Sequence, residues 1–328
     1  MKYDFITVGG ATEDISLYTS EGILIDNKKD ILRQKLFAFE YGAKLKVDKS
    51  FSTFGGGAAN AAVSLARLGY SPAALVAIGE DGRGESIIKN FKKNKVAVNL
   101  IEKIKEKETG FSCLIVGQGN EHVVFSNRAA NSFLCIGKKE STELKKAKWI
   151  YMTSLSGNWE EILRKVFAVK GPRVSWNPGH IQLHLGYPAL QKYLKKTEML
   201  TVNKDEATEL VLSHPDYKNK GDKFLNNSKN LLEIIKSWGP KIVVITNGKY
   251  GADAYDGQKF YHQKILKEKR RINTTGVGDA FGSTFTAGLE LFKGDIQKAM
   301  ELGVRNTASV VAHMGAQTGL LTKKQIFK

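Results

Sequence analysis

Short runs of β-branched and aromatic residues alternate along most of the chain with longer stretches of helical apolar spacing. The runs predict strands over 5–9, 73–78, 149–152, 173–176, 199–203 and 242–246. The periodic stretches predict helices over 60–68, 84–93, 159–167, 205–212 and 231–237. Alternation of this kind indicates a doubly wound α/β fold, with a mainly parallel central sheet covered by helices on both faces. After Asp279 the pattern turns helical, over 280–292 and then 296–314. Two segments depart from it. Residues around 15–52 and 108–130 read as short alternating strands with turns, as in Gly110-Phe111-Ser112-Cys113-Leu114-Ile115-Val116. Long excursions from a compact sheet often cover a binding site, so a small β-lid is expected over the C-terminal sheet edge, where α/β folds bind ligands. There is no internal repeat and no low-complexity linker, so residues 1–328 are expected to form one domain with that lid.

Composition narrows the class. The 328 residues are 42% hydrophobic and 25% charged, as in soluble globular proteins. No apolar run reaches the ~18 residues of a membrane span. Met1 to Gly10 starts a strand at once and leaves no room for a signal peptide. Cys113 and Cys135 have apolar neighbours and no metal or redox spacing; both are expected to be reduced core residues of a cytoplasmic protein. Net charge is high, 50 − 33 = +17. The lysines are dispersed and no aromatic residues interleave with them, so a solvated surface is expected rather than a nucleic-acid face. Such a field also attracts anionic nucleotides.

Chemistry concentrates in a few loops. In Asn273-Thr274-Thr275-Gly276-Val277-Gly278-Asp279-Ala280-Phe281 a glycine-rich turn opens directly into a helix. Free amides and the helix dipole there suit phosphate. An acid at that point repels the same anion, so its presence needs a reason, and a general base that takes a proton from an attacking hydroxyl is one; an ordinary helix cap is the other reading. Gly55-Gly56-Gly57-Ala58-Ala59-Asn60 lets backbone approach a ligand closely, or simply packs a helix on a strand. Gly79 to Gly84 is a tight turn into another helix. Asn203-Lys204-Asp205-Glu206 follows a strand, and its Asn and Glu share one helical face. They could hold the water shell of Mg²⁺ or merely cap a helix. Thr246 to Ala252 is a strand end and turn that would suit a nucleotide or no ligand at all.

Taken together, these motifs in this order resemble the ribokinase-like (PfkB-type) family of carbohydrate and nucleoside kinases. The resemblance runs from Val8-Gly9-Gly10 to Gly315-Ala316. It implies ATP-dependent phosphoryl transfer to a hydroxyl, a primary CH₂OH of a small sugar or alternatively of a nucleoside, with Asp279 as catalytic base and the amides of Gly276, Val277 and Gly278 as anion hole. Asp14, Gly56, Gly57 and Asn60 would grip substrate hydroxyls, with Arg128 as a further candidate. Asn203 and Glu206 would organise Mg²⁺, Glu206 through water. Thr246, Gly248, Thr275 and the stretch from Asn306 to Gly315 would line the adenine nucleotide. Family members often dimerise through their lids, which makes a homodimer an expectation here. Asn273 stands where many members carry an acid that helps bind a monovalent cation. An amide offers no charge, so weak or absent K⁺ activation is expected.

Other features carry less. Trp176-Asn177-Pro178-Gly179 is expected to be scaffolding near the site. His180 and His184 stand four apart without a third ligand of suitable spacing, so structural or surface roles are expected. A small-sugar kinase is the leading reading. A nucleoside kinase of the same fold would need a base pocket, which Phe37, Phe39, Tyr41 and Phe54 could supply or could bury as lid core. A non-catalytic sugar- or nucleotide-binding regulator would not need Asp279. A dinucleotide-dependent oxidoreductase would need a G-x-G-x-x-G after the first strand, which is missing.

Overall fold

The computed structural model describes residues 3–27, 35–117, 122–267, 271–272 and 274–328. Eight strands form the central sheet, in the spatial order Phe260–Gln263, Ala252–Tyr255, Ile242–Thr246, Met199–Asn203, Arg173–Trp176, Trp149–Met152, Phe5–Val8 and Pro72–Leu75. Six run parallel, and the hairpin of the first two is antiparallel. The parallel strands bury both faces, which is why contiguous apolar runs mark them in the sequence. Alternate residues divide between two cores. Ile6, Val8, Ile150, Met152, Leu200, Val202, Val243 and Ile245 face one layer of helices, among them Trp159–Ala168, Lys204–Leu212 and Ser228–Ser237. Phe5, Trp149, Met199 and Val244 face the other, built mainly from Val277–Leu291 and Ile296–Val311. This is the doubly wound arrangement expected.

The Val277–Leu291 helix lies close because small residues face its neighbours. A Cβ at Gly288 would stand 2.7 Å from the Ala299 Cα, and one at Gly282 would stand 2.3 Å from the Tyr151 hydroxyl. The helix begins at Val277, three residues before the apolar spacing starts, so Asp279 sits in its first turn. Its partner ends at Val311 rather than 314.

A second sheet of four strands has the order His122–Asn127, Phe111–Val116, Thr12–Tyr18, Lys49–Gly55. Its strands fall on the two departing segments, though the first begins at Thr12. A further hairpin pairs Ile23–Asp26 with Lys35–Ala38. The two cysteines are not core residues: Cys113 is half-buried and Cys135 is exposed, where its thiol donates to the Glu102 carboxylate. His180 and His184 lie on the surface and share Glu209, at 3.8 and 3.3 Å. Among the described residues, no group of three or more His, Cys, Asp or Glu could hold a metal ion, and no helix is long and apolar enough to cross a membrane.

Candidate active site

Parallel strands all point their C-terminal ends to one edge, so the loops that follow them converge there. At that edge Gly276 caps the Val277–Leu291 helix with φ 74°, a left-handed conformation that glycine adopts at little cost. A side chain would not fit either: its Cβ would stand 2.3 Å from the Ala316 Cβ. The turn aims the first amides of the helix outward. The Val277 amide is partly engaged by the Thr274 carbonyl at a long 3.4 Å, which leaves it poorly satisfied. Around Gly278 there is nothing within 4 Å of where a Cβ would stand.

That open space belongs to a cavity of about 250 Å³. Thr246, Gly248, Val277, Gly278 and Phe281 form part of its wall. Ile265, Leu266 and the helix face Val304, Thr307, Ala308 and Val311 make the rest mainly apolar, with Lys249 and Arg271 as cations. An apolar slot that ends on free helix-start amides and cations fits a nucleotide with its phosphates toward Gly278.

Asp279 lies at the cleft floor beside this opening, only partly exposed. Asn60 donates to its Oδ2 at 2.9 Å. Gly57 approaches from the other side, where a Cβ would stand 3.2 Å from Oδ1. Burial pushes the Asp279 carboxyl up to about 6, the Asn60 bond opposes this, and the charge of Asp14 adds to it. Asp14 reaches the same cleft from the second sheet. It is 7% exposed, and its Oδ1 accepts from the Thr12 hydroxyl at 3.1 Å. Burial raises its carboxyl as well, against hydrogen bonds from Thr12 and Ser112. Gly55 lies flush against that carboxylate: a Cβ there would meet Asp14 Oδ2 at 2.0 Å. Gly56, at φ 87°, lets the chain pass over the Gly10 carbonyl.

Asn203 and Glu206 stand at the end of the adjoining strand, with Asn203 in register with Thr246. They form a capping box: the Glu206 amide donates to Asn203 Oδ1 at 2.9 Å, and the Asn203 amide donates to Glu206 Oε2 at 2.7 Å. Burial raises the Glu206 carboxyl, so a cation beside it would relieve an existing strain. Thr275 is half-buried in the glycine turn. Asn273 lies outside the described residues.

Four expectations need correction. Asn306 does not line the cavity. It is fully buried on the far side of its helix, donating to Thr284 at 2.7 Å and accepting from the Leu321 amide at 2.9 Å. The helical turn explains this, since 304, 307, 308 and 311 share a face that 306 does not. Gly315 is likewise outside the cavity wall. It adopts φ 78° and packs on Thr53 of the second sheet. Asn60 is committed to Asp279 rather than open to a ligand. Arg128 is exposed, and the buried polar group of its segment is Asn131. Asn131 clamps Ala11 by accepting from its amide at 2.9 Å and donating to its carbonyl at 3.0 Å. An Asn among apolar small residues is the signal that could have singled it out.

Comparison with known proteins identifies the family. The family model for pfkB family carbohydrate kinases matches residues 30–323. The ATP-dependent 6-phosphofructokinase of Thermoanaerobacterium thermosaccharolyticum is 23% identical, over 96% of this chain and 90% of its own length. The ribokinase of Arabidopsis thaliana, solved with ribose and ATP, superimposes with a TM-score of 0.80 at 17% identity, over 100% of this chain and 98% of that one. The nucleoside kinase of Methanocaldococcus jannaschii does so at 0.77 and 20%, over 99% and 97%. The chain therefore belongs to the pfkB family of carbohydrate kinases, ATP-dependent phosphotransferases that act on an alcohol group.

Proposed function

We propose that this kinase phosphorylates a hydroxyl of a small sugar, a primary CH₂OH in the first instance, with Asp279 as general base. The observation that carries this reading is the pair Asp14 and Asp279: carboxylates from the second sheet and from a helix start, in one cleft, close enough that the charge of Asp14 raises the proton affinity of Asp279. Asp14 accepts from sugar hydroxyls and orients them, with Gly55, Gly56 and Gly57 allowing close approach. Asp279 takes the proton of the attacking hydroxyl. The amides of Gly276, Val277 and Gly278 receive the charge that develops on the transferred phosphoryl group. Mg²⁺, when bound beside ATP, neutralises phosphate charge; Asn203 and Glu206 offer the oxygen donors it prefers, and Glu206 would act through water. Thr246 and Gly248 contact the nucleotide, and Thr275 holds the turn.

The second sheet serves as a lid that excludes water and so limits ATP hydrolysis. Exposed Val123 and Phe125 share the face of this sheet opposite Asp14, and a second copy of this chain would cover them, making a homodimer. A cytoplasmic location, where ATP is supplied, accords with this activity. The absence of a charge on Asn273 supports weak K⁺ activation; adding K⁺ to K⁺-free enzyme should change kcat little, and a steep rise would contradict this.

Two features favour a sugar over a nucleoside. The Phe37 and Phe39 rings pack on each other at 4.7 Å and on Gly22, so they fill their own hairpin rather than open a base pocket. Tyr41 points fully into solvent. A separate observation concerns charge on the acceptor: Arg83 is paired with Glu13 at 2.9 Å and lies over Phe111, so that guanidinium is already engaged. The test is transfer from ATP to a panel of pentoses, hexoses, sugar acids, sugar phosphates and nucleosides. Turnover confined to nucleosides would overturn the sugar reading, and none at all would restore the binding-regulator reading. With the best acceptor, Asp14→Asn should raise KM roughly 10- to 100-fold, the worth of a hydrogen bond to a charged group. An unchanged KM would remove Asp14 from the substrate site.

A further inference from the structure

Asn60 is the first link of a longer chain of amides. Its Nδ2 donates to Asp279, and its Oδ1 accepts from Gln317 Nε2 at 2.9 Å. Gln317 Oε1 accepts from Asn90 Nδ2 at 2.8 Å. Asn90 Oδ1 accepts from Asn94 Nδ2 at 3.1 Å, and Asn94 Oδ1 accepts from Arg67 Nε at 3.3 Å. The relay thus runs from a half-buried guanidinium, through four side-chain amides, to the carboxylate at the cleft floor. It is assembled from the Gly57–Arg67 helix, the end of the Gly82–Lys93 helix and the C-terminal loop. Helical spacing supplies its frame: Asn90 and Asn94 are one turn apart, and Asn60 and Arg67 two turns. Arg67 is held in turn by the Leu320 carbonyl at 2.7 Å.

The direction of the relay is forced at both ends. A carboxylate only accepts and a guanidinium only donates, so every amide between them must present its NH₂ toward Asp279. Turning any one around would set oxygen against oxygen or NH₂ against NH₂. Aligned bonds of this kind polarise one another, most strongly where water is excluded, as at Asn60 and Gln317, which are 4% and 7% exposed.

We propose that this relay is a positioning device for the reaction: Arg67, Asn94, Asn90 and Gln317 lock the Asn60 amide as a donor to Asp279, and so hold the base ionised and aimed at the acceptor oxygen. The inference rests on the reading of Asp279 as base. None of the four remote residues touches substrate; each acts through the next.

The experiment is the pH profile of kcat/KM for the acceptor at saturating ATP, in Gln317→Met and Asn90→Ala. Both cut the relay without adding charge, and Asn90 is half-exposed, so Asn90→Ala decides the matter should Gln317→Met fail to fold. The acid limb should move to higher pH by about half a unit or more in Gln317→Met, roughly a threefold loss on the acid side, and by less in Asn90→Ala. Ile88→Ala, which trims apolar bulk from the same helix without touching the relay, should lower Tm and leave the limb in place. A limb that stays at its wild-type position in both relay variants would overturn the proposal. The base assignment fails separately: it falls only if Asp279→Asn keeps its turnover.

Discussion

Replacing Asp279 with Asn should leave the protein folded, more stable at neutral pH, and almost inactive. General-base removal is expected to lower kcat by about 10²- to 10⁴-fold. The stability gain follows from the site's electrostatics. The Asp279 carboxyl rises from an ordinary 3.8 to about 6 on folding, so the native state binds this proton more tightly than the unfolded chain. Its favourable contribution is therefore complete below about 3.8 and is lost as pH rises through about 6. At pH 8 the wild-type protein carries the full cost of an ionised, enclosed carboxylate, and Asn does not. The difference is on the order of 2 kcal/mol, allowing for partial solvent access. Thermal unfolding of both proteins at pH 4 and pH 8 checks it: the variant should gain at pH 8 and little at pH 4. A variant less stable at pH 8 would show that the carboxylate is well solvated and not the strained base described here.

The second large effect separates binding from folding at neighbouring glycines. Gly278→Val should lower kcat/KM for ATP on the order of 10²-fold, the scale seen when charge-stabilising donors are lost, while Tm stays close to wild type. The reason is spatial. A Cβ at 278 would meet no atom within 4 Å beyond its own turn of helix, and Gly278 lines the cavity where phosphates would lie. Gly276→Ala should do the reverse to stability. It places a Cβ on a left-handed residue and against Ala316, so Tm should fall along with activity. Calorimetric ATP titration with melting curves for both variants provides the check; unchanged ATP affinity in Gly278→Val would refute the assignment of the cavity to the nucleotide, and equal losses of Tm in the two would refute the spatial argument.

Much of the fold is legible in the sequence because a buried parallel strand has few alternatives. The strands Trp149–Met152, Arg173–Trp176, Met199–Asn203 and Ile242–Thr246 carry the bounds that their apolar runs predict. Helix starts are harder, since Gly276, Val277 and Gly278 carry little periodicity, yet the helix begins among them. The edge hairpin of Ala252–Tyr255 and Phe260–Gln263 escapes notice because edge strands mix polar and apolar residues. The glycine-rich turn with its acid is readable as a local pattern; Asp14 is named only through the resemblance, and the structure brings it to the same cleft from the second sheet. Exposure is less readable: neighbouring apolar residues suggest a core position for Cys135, whose side chain turns outward to Glu102. Asn306 misleads for a similar reason, since one helical position decides between cavity wall and packed interior. The relay behind Asp279 has no local signature at all. Asn60 and Gln317 are 257 residues apart, and only the finished fold brings their amides together.

The most direct test of Asp279 as the catalytic base is the rate of a single turnover from labelled ATP to the best acceptor, followed by rapid quench across pH 5 to 9. Wild-type enzyme should slow tenfold per pH unit below about 6, where its carboxylate takes up a proton. Asp279→Asn should be slow by about 10²- to 10⁴-fold on the plateau and lack that limb. A variant that turns over at the wild-type rate with the same acid limb would contradict the account.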